Sequence, residues 1–187
     1  MIPSGRPPSA GNWPAALIAI HWLTVAAVIV GFSAIAARGW LDGDKAMRSA
    51  LLQIHWSAGL ATWLLVALRI PVRLRSRAPS HISPPALTWA AKIGHTLLYI
   101  ALAGIPTVGY ALASARYGAV AIGPLHLPAL LPKDRDLAES LQSLHGYAGW
   151  IFLGLVVVHA AAALFHHFVL KDEVLRSMRP SKMFGPT

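Results

Sequence analysis

Four long apolar stretches, separated by polar or proline-containing segments, dominate the chain. Each is long enough to cross the hydrocarbon core of a bilayer as an α-helix, because about 20 residues suffice for a core of roughly 30 Å. The pattern therefore predicts an all-α integral membrane protein built as a bundle of four transmembrane helices. No internal repeat or low-complexity segment divides residues 1–187, which we expect to form a single domain. The expected spans are residues 14–37, 51–70, 87–113 and 140–170.

Prolines refine these boundaries. Pro14 suits the first turn of the first helix, where a missing N–H costs no hydrogen bond. Pro71 predicts the end of the second helix, because its ring clashes with the preceding turn. Pro106 and Gly109 predict a kink near the C-terminal end of the third helix.

Composition supports a membrane location. Hydrophobic residues make up 56% of the 187 residues, charged residues make up 12%, and the mean hydropathy is +0.55. The chain contains no cysteine, which excludes disulfides, iron–sulfur clusters and covalent haem attachment. Residues 34–36 resemble a signal-peptide cleavage site, but the apolar run is long for a signal core and contains His21. We expect this first span to be retained.

The distribution of basic residues predicts the orientation. With four spans, both termini lie on one side, and that side also holds the loop between the second and third spans. It carries ten Lys and Arg against two acids, whereas the other side carries six against five, leaving +8 and +1. The positive-inside rule thus predicts that both termini are cytoplasmic. It also accounts for the high isoelectric point, so no nucleic-acid partner is expected.

Four histidines lie within these spans, and the orientation sorts them by depth. His145 and His159 are 14 residues apart on the fourth helix, which is a rise of about 21 Å with a rotation only about 40° short of whole turns. Histidines inside a membrane are costly and mark functional sites by default. His55 is expected at the outer depth of His145, and His21 at the inner depth of His159.

Two histidine pairs at two depths match two six-coordinate haem irons. Two neutral imidazoles would hold each haem b without an open position, which suits electron transfer. Gly59 and Gly149 each follow a histidine by four residues and would leave room for a porphyrin, as would residues 160–163, which are all alanine. Small residues are also common in ordinary membrane helix packing.

Further residues continue the same helix face. Phe152 lies seven residues from both His145 and His159, which predicts a place between the haems or in plain core. His166 lies seven residues beyond His159 and is a candidate propionate ligand or proton donor to a quinone, or a solvated interfacial residue. Arg69 follows His55 by 14 residues and is a candidate partner of a haem propionate, or a side chain that extends to the lipid headgroups.

Several segments together resemble the bacterial cytochrome b561 family. The most specific is HAAAALFHHFVLKDEVLRSMRP, which begins at His159. IAIHWL around His21, IHWSAG around His55, RIPVRL after the second span and GHTLLYIALAGIPTVG in the third span also fit the family pattern. The resemblance implies a four-helix membrane cytochrome with two non-covalent b haems that exchanges electrons with quinone. The iron ligands it implies are His21 and His159 for the inner haem, and His55 and His145 for the outer haem.

The resemblance also suggests a reaction in the bacterial inner membrane. One branch of the family takes electrons from superoxide at the outer face and reduces ubiquinone near the cytoplasmic face. In this chain Lys92, His95, His166 and the basic loop 73–77 would lie near the quinone, although a hydrogen-bonded core role suits His95 slightly better. The outer loop 114–139 departs most from the family pattern.

Three functions stay open at this point. The first is a self-sufficient superoxide:ubiquinone oxidoreductase. The second is a haem b subunit that passes electrons between quinone and a partner dehydrogenase or hydrogenase. The third is a haem-free scaffold in which the histidines only pack. Short, sparse loops favour the first, because a docking subunit more often shows a dedicated surface.

Overall fold

The computed structural model describes residues 13–41, 44–76, 85–172 and 174–178. Four helices account for most of these residues, and a short β-hairpin lies between the last two helices. A π-helical turn extends the fourth helix, and a 3-10 turn follows. In chain order the elements are α1 (Ala15–Trp40), α2 (Lys45–Arg75), α3 (Pro85–Tyr117), β1 (Val120–Ile122), β2 (Leu125–Leu127), α4 (Arg135–Phe165), the π-helical turn (His166–Leu170) and the 3-10 turn (Arg176–Met178).

The four-span prediction is confirmed. Among the described residues, four helices are long and apolar enough to cross a membrane, with lengths of 26, 31, 33 and 36 residues when the π-helical turn is counted with α4. Many large apolar side chains on their surfaces are exposed, such as Trp150 at 72% and Ile151 at 68%. Side chains of this kind are stable facing lipid, so the exposed surface is that of a membrane bundle.

The predicted end of the second helix at Pro71 is wrong. The helix continues through Pro71 to Arg75, and Ser76 ends it by donating its backbone N–H to the carbonyl of Arg73. A proline removes one helical hydrogen bond, here to the carbonyl of Ala67, and membrane helices tolerate this where other groups satisfy the freed carbonyl. The α3 helix likewise runs through Pro106 to Tyr117, and the kink there stays a prediction.

The four helices pack as two antiparallel hairpins. α1 packs mainly against α2, and α3 packs mainly against α4, with fewer contacts between α2 and α3. Close approach within the first hairpin depends on Gly31, where an added Cβ would lie 3.3 Å from the Cβ of Ala58. Phe152 of α4 is 5% exposed and stacks on Phe32 of α1, with ring centroids 6.3 Å apart. This stack joins the two hairpins.

The chain between α3 and α4 contains an antiparallel hairpin that the all-α prediction does not include. β1 pairs with β2 in the register Val120 to Leu127, and Gly123 at the turn has a φ of +56°, which favours glycine. Gln53 of α2 donates its side-chain N–H to the carbonyl of Ala121 at 3.0 Å. The hairpin is thereby attached to the N-terminal part of α2.

Candidate functional site

The first candidate site joins α2 to α4 through His55 and His145, which we call the α2–α4 pair. Their ring centroids lie 6.0 Å apart and the rings are nearly perpendicular, at 87°. His55 Nδ1 lies 2.9 Å from the carbonyl oxygen of Gly31, and His145 Nδ1 lies 3.1 Å from that of Ile105. A carbonyl only accepts, so both Nδ1 atoms carry the proton and both Nε2 atoms keep a lone pair. This is the tautomer that binds a metal through Nε2.

One glycine, Gly109, packs closely against the ring of His145. A Cβ added at Gly109 of α3 would lie 2.9 Å from His145 Cε1 and 3.3 Å from its Nδ1. The sequence identified Gly109 only as part of a possible kink, and nothing in the linear pattern indicates this contact. Of the glycines expected to make room for a porphyrin, Gly59 has nothing within 4 Å of an added Cβ, and Gly149 has only Phe32 Cζ, at 3.9 Å.

The second candidate site joins α1 to α4 through His21 and His159, which we call the α1–α4 pair. Their ring centroids lie 6.5 Å apart at an interplanar angle of 69°. Arg69 of α2 also reaches this site, with Nη1 3.0 Å from His21 Nδ1 and Nε donating to the Tyr99 hydroxyl at 3.0 Å. The sequence placed Arg69 at this depth as a propionate partner, but it did not predict contact with His21.

A third histidine approaches the same site. The ring centroid of His95 lies 5.4 Å from that of His159, closer than His21 lies, and His95 also forms a hydrogen bond with the backbone of Ala91. Even so, among the described residues no three His, Cys, Asp or Glu side chains form a group that could hold a metal ion.

The separation of the imidazoles fits iron at both sites. An imidazole nitrogen binds a transition metal at about 2.0–2.1 Å and lies roughly 1.1 Å from its own ring centroid, so two imidazoles on opposite sides of one ion have centroids about 6.3 Å apart. The observed 6.0 and 6.5 Å fall on either side of this value. The centroid spacing of both pairs is therefore compatible with two histidines binding one iron.

The π-helical turn after α4 positions His166 away from the two pairs. His166 Nδ1 lies 2.5 Å from Asp172 Oδ2, and the backbone carbonyl of His166 accepts from Asp172 as well. Lys92 Nζ lies 4.9 Å from the ring centroid of Trp89, on the exposed first part of α3. Of the expected basic loop 73–77, residues 73–75 belong instead to α2, and residue 77 lies outside the described residues. Arg73 lies over the Trp13 ring at 4.6 Å.

The opposite end of the bundle carries a small polar cavity where α3 ends and α4 begins. It has a volume of about 470 Å³, and its lining includes Arg116, Lys133 and Arg135. Arg116 donates to the Gln142 side chain at 2.6 Å, whereas Arg135 forms an exposed ion pair with Glu139. Basic and acidic groups are thus interleaved here, as the small net charge of this side predicts.

Comparison with known proteins identifies the family. The profile of the prokaryotic cytochrome b561 family matches residues 12–181. A Yersinia pestis protein named probable superoxide oxidase CybB is 32% identical over 167 residues, which cover 88% of this chain and 94% of that protein. Escherichia coli (strain K12) cytochrome b561 homolog 1 is 28% identical over 170 residues, covering 88% of this chain and 95% of its own. Cytochrome b561 homolog 2 of the same strain is 30% identical over 169 residues, which cover 86% of this chain and 87% of that protein. The chain therefore belongs to the prokaryotic cytochrome b561 family, whose members transfer electrons in the membrane and bind b-type haem.

Proposed function

We propose that this protein carries electrons across the bacterial inner membrane through two b haems, from superoxide outside to ubiquinone near the cytoplasmic face. The observation that carries the proposal is the spacing of the two histidine pairs, 6.0 and 6.5 Å between centroids, at two levels of one helix. The α2–α4 pair would hold the outer haem iron, and the α1–α4 pair would hold the inner one.

The orientation in this proposal has both termini in the cytoplasm. It rests on the excess of Lys and Arg around the termini and the loop between α2 and α3. Since His55 and His145 lie near the N-terminal ends of α2 and α4, this orientation puts the α2–α4 pair on the outer side.

The chain's own residues fix the ligands and fill the space between the two sites. The backbone carbonyls of Gly31 and Ile105 hold His55 and His145 in the tautomer that exposes Nε2. Phe152, buried at 5% exposure, lies midway along α4 between His145 and His159 and excludes water there. A bound haem would supply one-electron transfer at each site, where the two histidines of the pair would hold its iron.

At the outer face the substrate is an anion. Each superoxide gives up one electron and leaves as oxygen, and no bond to the protein forms. The cavity beside the N-terminus of α4 is lined by Arg116, Lys133 and Arg135 together with Asp134 and Glu139, so its three bases exceed its two acids by one charge. The name of the Yersinia pestis relative supports this choice of donor.

At the cytoplasmic face, ubiquinone takes two electrons and two protons to become ubiquinol. The hydrogen bond between His166 and Asp172 places an imidazole and a carboxylate together just after α4, with side chains 19% and 31% exposed, on the side that the proposed orientation makes cytoplasmic. We assign proton delivery to His166, with Lys92 and His95 in the first part of α3 as further contacts for the quinone or a propionate.

The first experiment counts haem and assigns it to the pairs. Purified protein is expected to contain two haem b per chain by pyridine haemochrome assay. His55→Leu and His145→Leu are expected to remove the same haem, while His126→Leu, which changes an exposed hairpin histidine, leaves both. Haem content near zero, or loss of different haems from the two variants, would overturn the assignment.

A second experiment tests the reaction itself. Purified protein is mixed with enzymatically generated superoxide and a soluble ubiquinone analogue, and quinol formation is followed in the ultraviolet. We expect reduction that superoxide dismutase abolishes. If the haems stay oxidised and a dehydrogenase or hydrogenase subunit co-purifies, the protein is instead the haem subunit of a larger complex.

A further inference from the structure

The two histidine pairs differ in what touches their Nδ1 atoms. In the α2–α4 pair both partners are backbone carbonyls, which can only accept a hydrogen bond. In the α1–α4 pair the partner of His21 Nδ1 is the Arg69 guanidinium, at 3.0 Å. A guanidinium has five N–H donors and no acceptor, so it requires a lone pair on Nδ1. The two contacts thus impose opposite tautomers.

This difference decides whether each ring is ready to bind iron. With Arg69 donating to Nδ1, the ring proton of a neutral His21 lies on Nε2. That nitrogen then has no lone pair for a metal, and Nδ1 is occupied by the guanidinium. His55 and His145 have the opposite arrangement, with Nε2 free. The α2–α4 pair therefore already has both Nε2 lone pairs available for iron. In the α1–α4 pair, His21 can bind iron through Nε2 only after Arg69 has left its Nδ1.

Haem itself carries the group that attracts Arg69. Each haem b has two propionates, and a guanidinium binds a carboxylate through strong, charge-assisted hydrogen bonds, often two at once. The side chain is also kept close by Tyr99, whose hydroxyl accepts from Arg69 Nε at 3.0 Å. The Nη1 group can therefore change partner while Nε stays in place.

We propose that Arg69 is a positioning residue that exchanges His21 for a haem propionate, and that this exchange makes the inner site selective for haem with free carboxylates. When Arg69 leaves, the proton on His21 moves from Nε2 to Nδ1. The ring stays neutral, because only the position of its proton changes. The Nε2 lone pair is then free to bind a metal. This inference rests on the proposed assignment of the α1–α4 pair as a haem site.

The test compares haem b with its dimethyl ester, which has the same ring and iron but no carboxylate. Haem-free full-length protein in detergent is titrated with each and followed by the Soret absorbance. We expect two equivalents of haem to bind tightly, but only one of the ester, with a second equivalent at least about tenfold weaker. The α2–α4 pair is expected to fill first with either compound.

Single-site variants locate the effect. His145→Leu keeps the α1–α4 pair and should discriminate between haem and ester, whereas His159→Leu keeps the α2–α4 pair and should not. Adding Arg69→Leu to His145→Leu should weaken haem binding and strengthen ester binding, because the contact that blocks His21 is lost. Arg48→Leu, near the N-terminal end of α2, is the control on the same helix and should leave the ratio unchanged, because Arg48 donates to the Leu41 carbonyl far from Arg69.

The outcomes distinguish a failure of the Arg69 exchange from a failure of the proposed assignment of the α1–α4 pair as a haem site. Equal, tight binding of haem and ester to His145→Leu would refute a role for Arg69. Ester binding that Arg69→Leu does not improve would show that Arg69 only binds a propionate and never blocks His21. If His145→Leu binds neither compound while the wild-type chain binds one equivalent, the α1–α4 pair is not a haem site and the proposed function fails with it.

Discussion

The contact between Gly109 and His145 gives a sharp prediction for Gly109→Ala. The new Cβ would lie 2.9 Å from His145 Cε1, whereas carbon atoms pack best at about 3.5–4.0 Å, so the ring must retreat by roughly 0.6 Å or more. Ile105 lies one turn before Gly109 on the same helix, so this retreat also moves the ring away from the Ile105 carbonyl. The hydrogen bond, now 3.1 Å, would lengthen to as much as about 3.7 Å, beyond hydrogen-bonding distance.

Loss of that hydrogen bond should weaken one haem selectively. Groups that orient a metal-binding histidine are worth about 10- to 100-fold in metal affinity, or roughly 1.4–2.7 kcal/mol. We expect Gly109→Ala to purify with about one haem, and a potentiometric titration to show that the missing component is the one that His55→Leu also removes.

Gly104→Ala is the matched control on the same helix. An added Cβ there meets nothing within 4 Å, and both substitutions gain about 1 kcal/mol of helix propensity. Gly104→Ala should therefore keep both haems. If Gly109→Ala also keeps both, with wild-type potentials, the close contact does not constrain the ligand and the reasoning from it is wrong.

Three further predictions address stability, proton delivery and orientation. Phe152→Ala should cost about 3–5 kcal/mol of unfolding free energy through loss of the stack on Phe32, seen as a lower denaturation midpoint in detergent, and Phe152→Leu should cost clearly less. His166→Asn and Asp172→Asn should each slow ubiquinone reduction without slowing haem reduction by superoxide; equal slowing of both steps would argue against the assigned proton route. Since the chain has no cysteine, Leu125→Cys in the hairpin should react with an impermeant maleimide added outside intact spheroplasts, and labelling only after lysis would reverse the proposed orientation.

The features that could be predicted from the sequence depend on one helix at a time. The length of each apolar run predicts a span, and the 14-residue spacing of His145 and His159 predicts two sites on one face. Depth then predicts which histidines from other spans lie nearby, and the structure does bring His55 beside His145 and His21 beside His159.

The features that could not be predicted depend on how the helices rotate against each other. Contact of His95 with His159, and of Arg69 with His21, requires the relative rotation of four helices, which no linear pattern contains. Pro71 misled the prediction of a helix end, because the local rule omits the surroundings that satisfy a freed carbonyl.

The pairing of the helices has a consequence for the life of the protein in the cell. Direct packing is concentrated within each helical hairpin, α1 with α2 and α3 with α4, whereas both histidine pairs connect α4 to the other hairpin. Each iron would therefore add a connection between two halves that pack less extensively on each other than each hairpin packs within itself. A ligand bound only by the assembled state stabilises that state by mass action. Haem supply would then set how much of the protein survives membrane proteolysis, so its abundance should track cellular haem even at constant synthesis.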